Sequence, residues 1–417
     1  MSKVRVEKSV LRGEVTVSGA KNSSLRLLAA SILTDKNIEL TNVPNGILDF
    51  QVHIDMLKVL GKEIETFEDK AYIKNAVTTS TLEWDRRSIR NTLLILGSLL
   101  TKTGFGKVPL PGGCQLGDRK YDLHIMAMEK MGAKVWEEDG YICAKVDDRL
   151  KGADIHLRIR STGATENSII MGTLAKGKTK VWNPHIRPEI IDLIDMLNSM
   201  GAKIKVNGQE SIEIEGVEKL HGTSHKCIPD NMEALTFAIA TAITGGEVEI
   251  KNFPLSHLEI PMIYLRESGL KYYVSEDRNS VIIKKSDIYP VEIATGPYPS
   301  LNSDMQPLFA IYGLMAQGES RIIDLRFPGR YEYANELAKM GAKTEVEGDM
   351  LKLFGGNKLN GAEVKSLDLR AGAAFVLAGL ISETPTIVTD YEQVERGYEN
   401  FIGKLKNLGV NIEPIKE

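Results

Sequence analysis

An amphipathic run that closes on Leu-x-x-Met-Gly-Ala-Lys, or a near relative of it, and passes directly into alternating apolar and polar residues recurs along the chain. The glycines of these runs are Gly61, Gly132, Gly201, Gly269, Gly341 and Gly409, about 70 residues apart. The pattern predicts a helix that reverses straight into a strand such as Lys203-Ile204-Lys205-Val206. Such a reversal needs a residue in the left-handed region, where glycine avoids the side-chain clash. A second alternating run precedes each of these helices, as in residues 177–183 and 246–252, and predicts another half-buried strand. The chain therefore reads as six copies of one unit, each with two helices and several strands. Repeats this long exceed those of ordinary solenoids, so they are expected to group three plus three into globular domains. The Gly- and Pro-punctuated loop Leu220–Asn231 is the expected crossing, and a cleft between two similar lobes is where a ligand is expected.

Composition narrows the function classes. With 417 residues, 42% hydrophobic and 26% charged, the chain reads as a soluble globular protein of two or three domains. Its 52 basic and 56 acidic residues are scattered and give a net charge of -4, so no overall basic field recruits nucleic acid. An anionic small molecule would need a local cluster of cations. Cys114, Cys143 and Cys227 are too few and too dispersed for a disulfide framework, and the Met-Ser-Lys start leads into charged residues, so a reducing cytoplasm is expected. The apolar runs Leu93–Leu100 and Ala374–Ile381 fall short of the roughly 20 residues a membrane span requires and read as buried helices.

Candidate chemistry is uneven along the chain. Residues 172–179 fit the phosphate-loop pattern G-x-x-x-x-G-K-T, but an apolar helix leads in and a strand leads out, the reverse of what that loop requires, so they read as a helix-to-strand turn. His221, His225 and Cys227 lack a nearby second pair to complete a tetrahedral metal site, and Cys143 reads as a small strand residue. The segment Pro111-Gly112-Gly113-Cys114-Gln115-Leu116-Gly117-Asp118-Arg119-Lys120 differs in kind. A cysteine flanked by glycines and followed by two cations is accessible and electropositive, which favours the thiolate and acid, base or nucleophile chemistry. Lys21 and Asn22 stand at a strand-to-helix junction, where anions bind readily. Arg90 is expected on the helix before the Cys114 loop. Asp304, Asp368 with Arg370, and Arg396 sit in the second half, several of them where a strand gives way to a helix.

Taken together, these segments resemble the enolpyruvyl transferases, and within them the branch acting on UDP-N-acetylglucosamine. The resemblance runs nearly end to end. It is carried by Gly19-Ala20-Lys21-Asn22, Pro111-Gly112-Gly113-Cys114 with Arg119, Asp122-Leu123-His124, Ser161-Thr162-Gly163-Ala164-Thr165-Glu166-Asn167, Arg187-Pro188-Glu189-Ile190, residues 216–220, Ser303-Asp304-Met305-Gln306, Asp368-Leu369-Arg370 and Arg396-Gly397-Tyr398-Glu399. It implies an α/β fold of two lobes, each of three βαβαββ repeats in an inside-out barrel. One lobe would span 20–228 and carry the Cys114 loop; the other would span 1–19 with 229–417, with the active site in the cleft between them. The partners implied are phosphoenolpyruvate and a nucleotide-linked acceptor, with no metal, organic cofactor, nucleic acid or membrane. Lys21, Arg90, Arg119, Arg370 and Arg396 would receive the phosphate and carboxylate, guanidinium groups binding oxyanions in bidentate fashion. Asp304 would deprotonate the acceptor hydroxyl, and Cys114 would deliver a proton to C3 or form a covalent adduct. Asn22 would fix the acceptor, Asp368 would orient neighbouring cations, and Ser161, Thr162 and Gly163 would contact the nucleotide. Phe327 and Arg330 complete the expected acceptor site, and fosfomycin would alkylate Cys114.

The chain departs from the family pattern at Arg26, Asn231, Leu301, Asn302, Arg326, Pro328, Gly329 and Gln393. Most of these changes gather where sugar and uridine would be held. They keep open transfer to another nucleotide such as UMP, and a silent homologue that binds without turnover.

Overall fold

The computed structural model describes residues 2–111 and 121–415. The chain divides into two compact units, one of residues 19–228 and the other of residues 1–18 with 229–417. Each has its own apolar core.

In residues 19–228 three helices, Lys21–Ala30, Thr92–Thr103 and Thr162–Thr173, form the interior. All three are largely buried, and Thr92–Thr103 is apolar nearly all round, as Leu93, Leu94, Ile95, Leu96, Leu99 and Leu100 show; a helix of that kind is stable only when covered on every side. The outer helices Leu48–Val59, Asp122–Lys130 and Pro188–Ser199 are amphipathic. In the last, Ile190, Leu193, Ile194 and Leu197 share one buried face at helical spacing. A repeated polar tie joins each outer helix to the start of an inner one. The Asn91 amide donates to His53 Nδ1 (3.2 Å) and to the Leu25 carbonyl (2.9 Å). The Asn167 amide donates to His124 Nδ1 and the Leu93 carbonyl, both at 3.1 Å. In the third copy, Ser23 donates to Asp192.

Three sheets surround these helices. Ile38–Thr41 pairs in parallel with Thr223–Lys226 and antiparallel with Lys70–Lys74, which pairs with Glu63–Phe67. Lys178–Trp182 pairs in parallel with Asp154–His156 and antiparallel with Ser211–Glu215, which pairs with Lys203–Asn207. In the third, Tyr141–Lys145 lies between Phe105–Pro109 and Lys134–Glu138.

The other unit repeats this plan around the inner helices Asn231–Thr244, Gln306–Met315 and Leu369–Ile381. The last repeat is completed from the far end of the chain: Lys3–Val6 lies between Thr386–Thr389 and Ile412–Ile415, antiparallel to both. Arg12–Thr16 likewise pairs in parallel with Glu247–Lys251. All six turn glycines are left-handed, with φ of 100, 95, 97, 98, 85 and 85° in chain order. The helix Thr162–Thr173 leads into residues 174–177 and the strand Lys178–Trp182 leads out, the order that excludes a phosphate loop there.

Candidate active site

Most of the expected site residues among the described ones lie at or near the starts of the inner helices. Lys21 opens Lys21–Ala30, where the helix dipole opposes a cation. Asp49 on the neighbouring outer helix offsets this, its Oδ2 lying 2.7 Å from Lys21 Nζ with both side chains buried. Asn22 is half-buried beside it. Arg90 lies in a turn two residues before Thr92–Thr103 rather than on a helix. Asn91 is the N-cap of that helix, and its side-chain amide donates to the Leu25 carbonyl and His53. Ser161 caps Thr162–Thr173, its Oγ accepting from the Ala164 amide at 3.4 Å. Thr162 Oγ1 stands 2.8 Å from His185 Nδ1. Gly163 packs against His124 so closely that a Cβ there would meet Nε2 at 2.8 Å. Cys114 and Arg119 lie outside the described residues.

These groups are accompanied by a charged network whose members stand in or near the sequence motifs but whose pairing the motifs do not give. Arg26 Nε donates to Glu166 Oε1 (2.6 Å), and Arg187 grips Glu189 through Nε and Nη2 (2.6 and 2.7 Å). Burial pushes the Glu166 carboxyl up against the pull of Arg26 and Arg187, whereas at Glu189 the Arg187 guanidinium outweighs burial and holds the carboxyl down. Arg26, a departure from the family pattern, is thus paired inside the unit. Of the His221, His225 and Cys227 group, His225 Nε2 faces Asp192 Oδ1 at 2.8 Å, and Cys227 is buried.

In the other unit four expected residues converge. Asp304 lies in the turn Ser303–Met305 that leads into Gln306–Met315, and Asn302 caps that turn by accepting the Asp304 amide at 3.1 Å. Arg330 Nη1 donates to Asp304 Oδ1 and Nη2 to Asp368 Oδ2, each at 3.0 Å. Burial works against the Arg330 charge, but Asp304 and Asp368 prevail and hold the guanidinium above its ordinary range. Asp368 Oδ1 meanwhile caps Leu369–Ile381, accepting the Arg370 and Ala371 amides at 2.7 and 2.9 Å. Arg370 is 2% exposed; its Nε stands 3.7 Å from Asp304 Oδ2 and its guanidinium lies over Tyr398, 5.2 Å from the ring centroid. Its Nε and Nη1 have no hydrogen-bond partner among the described residues. Phe327 is half-buried, with the Arg326 and Arg330 guanidinium carbons 5.8 and 5.9 Å from its centroid. Arg396 is buried, and its Nη1 donates to Gln393 Oε1 at 3.1 Å, so the departure at 393 still supplies an acceptor.

This unit therefore holds guanidinium groups and carboxylates in one connected cluster, suited to an oxyanion and a proton-accepting step. The profile of EPSP synthase (3-phosphoshikimate 1-carboxyvinyltransferase) matches residues 6–405. The chain belongs to the enolpyruvyl transferase family. A UDP-N-acetylglucosamine 1-carboxyvinyltransferase of Finegoldia magna is 39% identical, the alignment covering 100% of this chain and 99% of the relative. One of Proteus mirabilis is 40% identical over 100% of this chain and 99% of its own length. The enolpyruvyl transferase NikO of Streptomyces tendae shares the fold at 22% identity and a TM-score of 0.89, over 100% of this chain and 99% of NikO. An EPSP synthase of Acinetobacter baumannii does so at 19% and 0.72, over the whole of both chains.

Set against the family pattern, the residues that sequence reasoning missed are mostly partners of the expected ones. Asp49, Asp324 and Gln306 are 3% exposed or less and touch Lys21, Ser303 and Arg330. Only the motif Ser303-Asp304-Met305-Gln306 pointed at any of them. No helix among the described residues is long and apolar enough to cross a membrane.

Proposed function

We propose that this enolpyruvyl transferase moves the enolpyruvyl group of phosphoenolpyruvate onto the 3-hydroxyl of UDP-N-acetylglucosamine, with release of phosphate, in the synthesis of peptidoglycan precursors. The observation that carries the reading is 39–40% identity, end to end, to relatives named for that acceptor. The acceptor oxygen adds to C2 while C3 gains a proton; C3 then loses a proton, the C2–C3 double bond re-forms and phosphate leaves. Asp304 takes the hydroxyl proton and Cys114 serves C3. Lys21, Arg90, Arg119, Arg370 and Arg396 hold the phosphate and carboxylate. The Nε and Nη1 of buried Arg370, which have no hydrogen-bond partner among the described residues, favour this, because donors left unmatched in a protein interior gain most from an oxyanion. Asn22, Ser161, Thr162, Gly163 and Phe327 hold the acceptor, Arg330 and Asp368 hold Asp304 in place, and fosfomycin alkylates Cys114. Cys143 and Cys227, both buried and neither in a disulfide, fit a reducing cytoplasm.

The test is phosphate release from phosphoenolpyruvate with UDP-N-acetylglucosamine, with UMP, and with no acceptor. Release with the sugar nucleotide that falls at least a thousandfold in Asp304→Ala is the expected result. Release with UMP alone would overturn the acceptor, and release with neither would overturn the reading.

A further inference from the structure

The residue that follows the first long strand of a repeat has a recurring job. Asn42, Asn183, Asn252 and Asp390 occupy that position with φ of 54, 55, 56 and 52°. The three asparagine amides donate to the carbonyls of Cys227, Leu157 and Val17, tying the turn to the neighbouring chain. After the strand Glu319–Ile323 the position is held by Asp324, which is fully buried and is not left-handed. Its carboxylate turns instead towards the segments that carry Asp304, Phe327 and Arg330. Oδ1 accepts from Thr295 Oγ1 (2.7 Å) and from the Arg326 and Phe327 amides (both 2.9 Å). Oδ2 accepts from Ser303 Oγ and from Gln306 Nε2 (2.9 Å). All five donors are neutral.

We propose that Asp324 is a positioning residue that fixes the direction of the hydrogen-bond chain Asp324–Ser303–Arg330–Asp304, and so sets where the candidate base and its guanidinium stand. The argument is a count of protons. A serine hydroxyl has one proton to give, and Ser303 gives it to Asp324. Its oxygen must then accept from Arg330 Nη1, which it faces at 3.2 Å. The same Nη1 gives its other proton to Asp304 Oδ1 at 3.0 Å. A second arm runs through Gln306, whose amide spends its two protons on Asp324 Oδ2 and on the Arg330 carbonyl (3.0 Å), leaving Oε1 to accept from Tyr333 (2.8 Å). Both arms need an atom at Oδ2 that only accepts. In Asp324→Asn the three donors at Oδ1 keep the amide oxygen on their side and the NH2 takes the place of Oδ2. Ser303 then accepts from it and turns its own proton towards Arg330, donor against donor, and Gln306 Nε2 faces a donor as well.

This inference rests on Asp304 and Arg330 serving the reaction proposed above. It is tested by kcat and KM for both substrates in wild type, Asp324→Asn, Ser303→Ala and the double variant, each assayed well below its unfolding temperature. Asp324→Asn is expected to lower kcat at least tenfold and Ser303→Ala several-fold, with KM for the nucleotide within twofold. The double variant should lose much less than the product of the two. Losses that multiply, or a kcat unchanged in Asp324→Asn, overturn the proposal. Should Asp324→Asn not fold, Ser303→Ala decides by the same split: kcat must fall while the nucleotide KM holds. If the wild type turns over nothing, the reaction reading fails by itself. A crystal structure of Asp324→Asn then judges the positioning claim, which an Arg330–Asp304 contact still at 3.0 Å would overturn.

Discussion

His53 and His124 are sealed in the core of residues 19–228, each accepting an asparagine N–H at Nδ1, so each is the neutral tautomer with its proton on Nε2. Burial, helped by Arg26 at His53 and by Arg90 at His124, lowers both to about 3. The unfolded chain binds these protons near pH 6.5 and the folded one does not, so stability is full above that pH and is lost progressively from 6.5 down towards 3. Each imidazole contributes a slope of ~1.4 kcal/mol per pH unit in that window. Urea midpoints for this unit should therefore drop between pH 7.5 and 5, and His53→Asn should lose less over that interval than wild type; equal slopes would contradict the assignment. His53 did not stand out in the sequence, and His124 did so only as part of the motif Asp122-Leu123-His124; the burial of either carries no pattern until its asparagine, 38 or 43 positions away, is brought beside it. Lys21, Asp304 and Arg370 were legible because motif and helix start coincide at those positions. Asp49 and Asp324, lone acids in ordinary surroundings, were not.

At the scale of the element, the six helix-to-strand reversals were readable because glycine has a single physical reason to recur there. Helix starts were less so. Asp230 and Asp368 cap their helices in the same way, each accepting two backbone amides, but Asp368 is also held by Arg330 through its other oxygen. Losing a cap costs about 1 kcal/mol, whereas removing one partner of a buried ion pair costs roughly 3–5 kcal/mol when nothing replaces it. Arg330 keeps Asp304 as a second partner, so the added loss should fall below that range. Asp368→Ala is expected to destabilise its unit by about 3 kcal/mol, more than a lost cap alone, and to lower activity as well. A loss of only about 1 kcal/mol in chemical denaturation, the size of a cap, would mean that the Arg330–Asp368 pair adds nothing beyond it.

For the whole molecule, what local pattern could not supply was the closing of the sixth repeat. The strand Lys3–Val6 pairs with residues 380 or more positions away, and a reading that moves along the chain sees only a short charged strand near the start. Its place is central: Val4 and Val6 are buried in the core, and both edges of the strand are used. Arg12–Thr16 adds a second sheet contact, and Ser18 meets Glu233, Glu399 and Lys404. Residues 19–228, by contrast, take every strand of their sheets from one continuous segment. The two units should therefore differ as fragments. Residues 19–228 expressed alone should unfold cooperatively and show dispersed amide resonances. Residues 229–417 alone should not, because Thr386–Thr389 and Ile412–Ile415 would each face an unfilled edge where buried backbone groups have no partner. Adding the peptide 1–18 in excess should restore a cooperative transition in 229–417. A fragment 229–417 that folds without it, at the unfolding temperature of the same unit in the full chain, would show that the N-terminal strand decorates this unit rather than completing it.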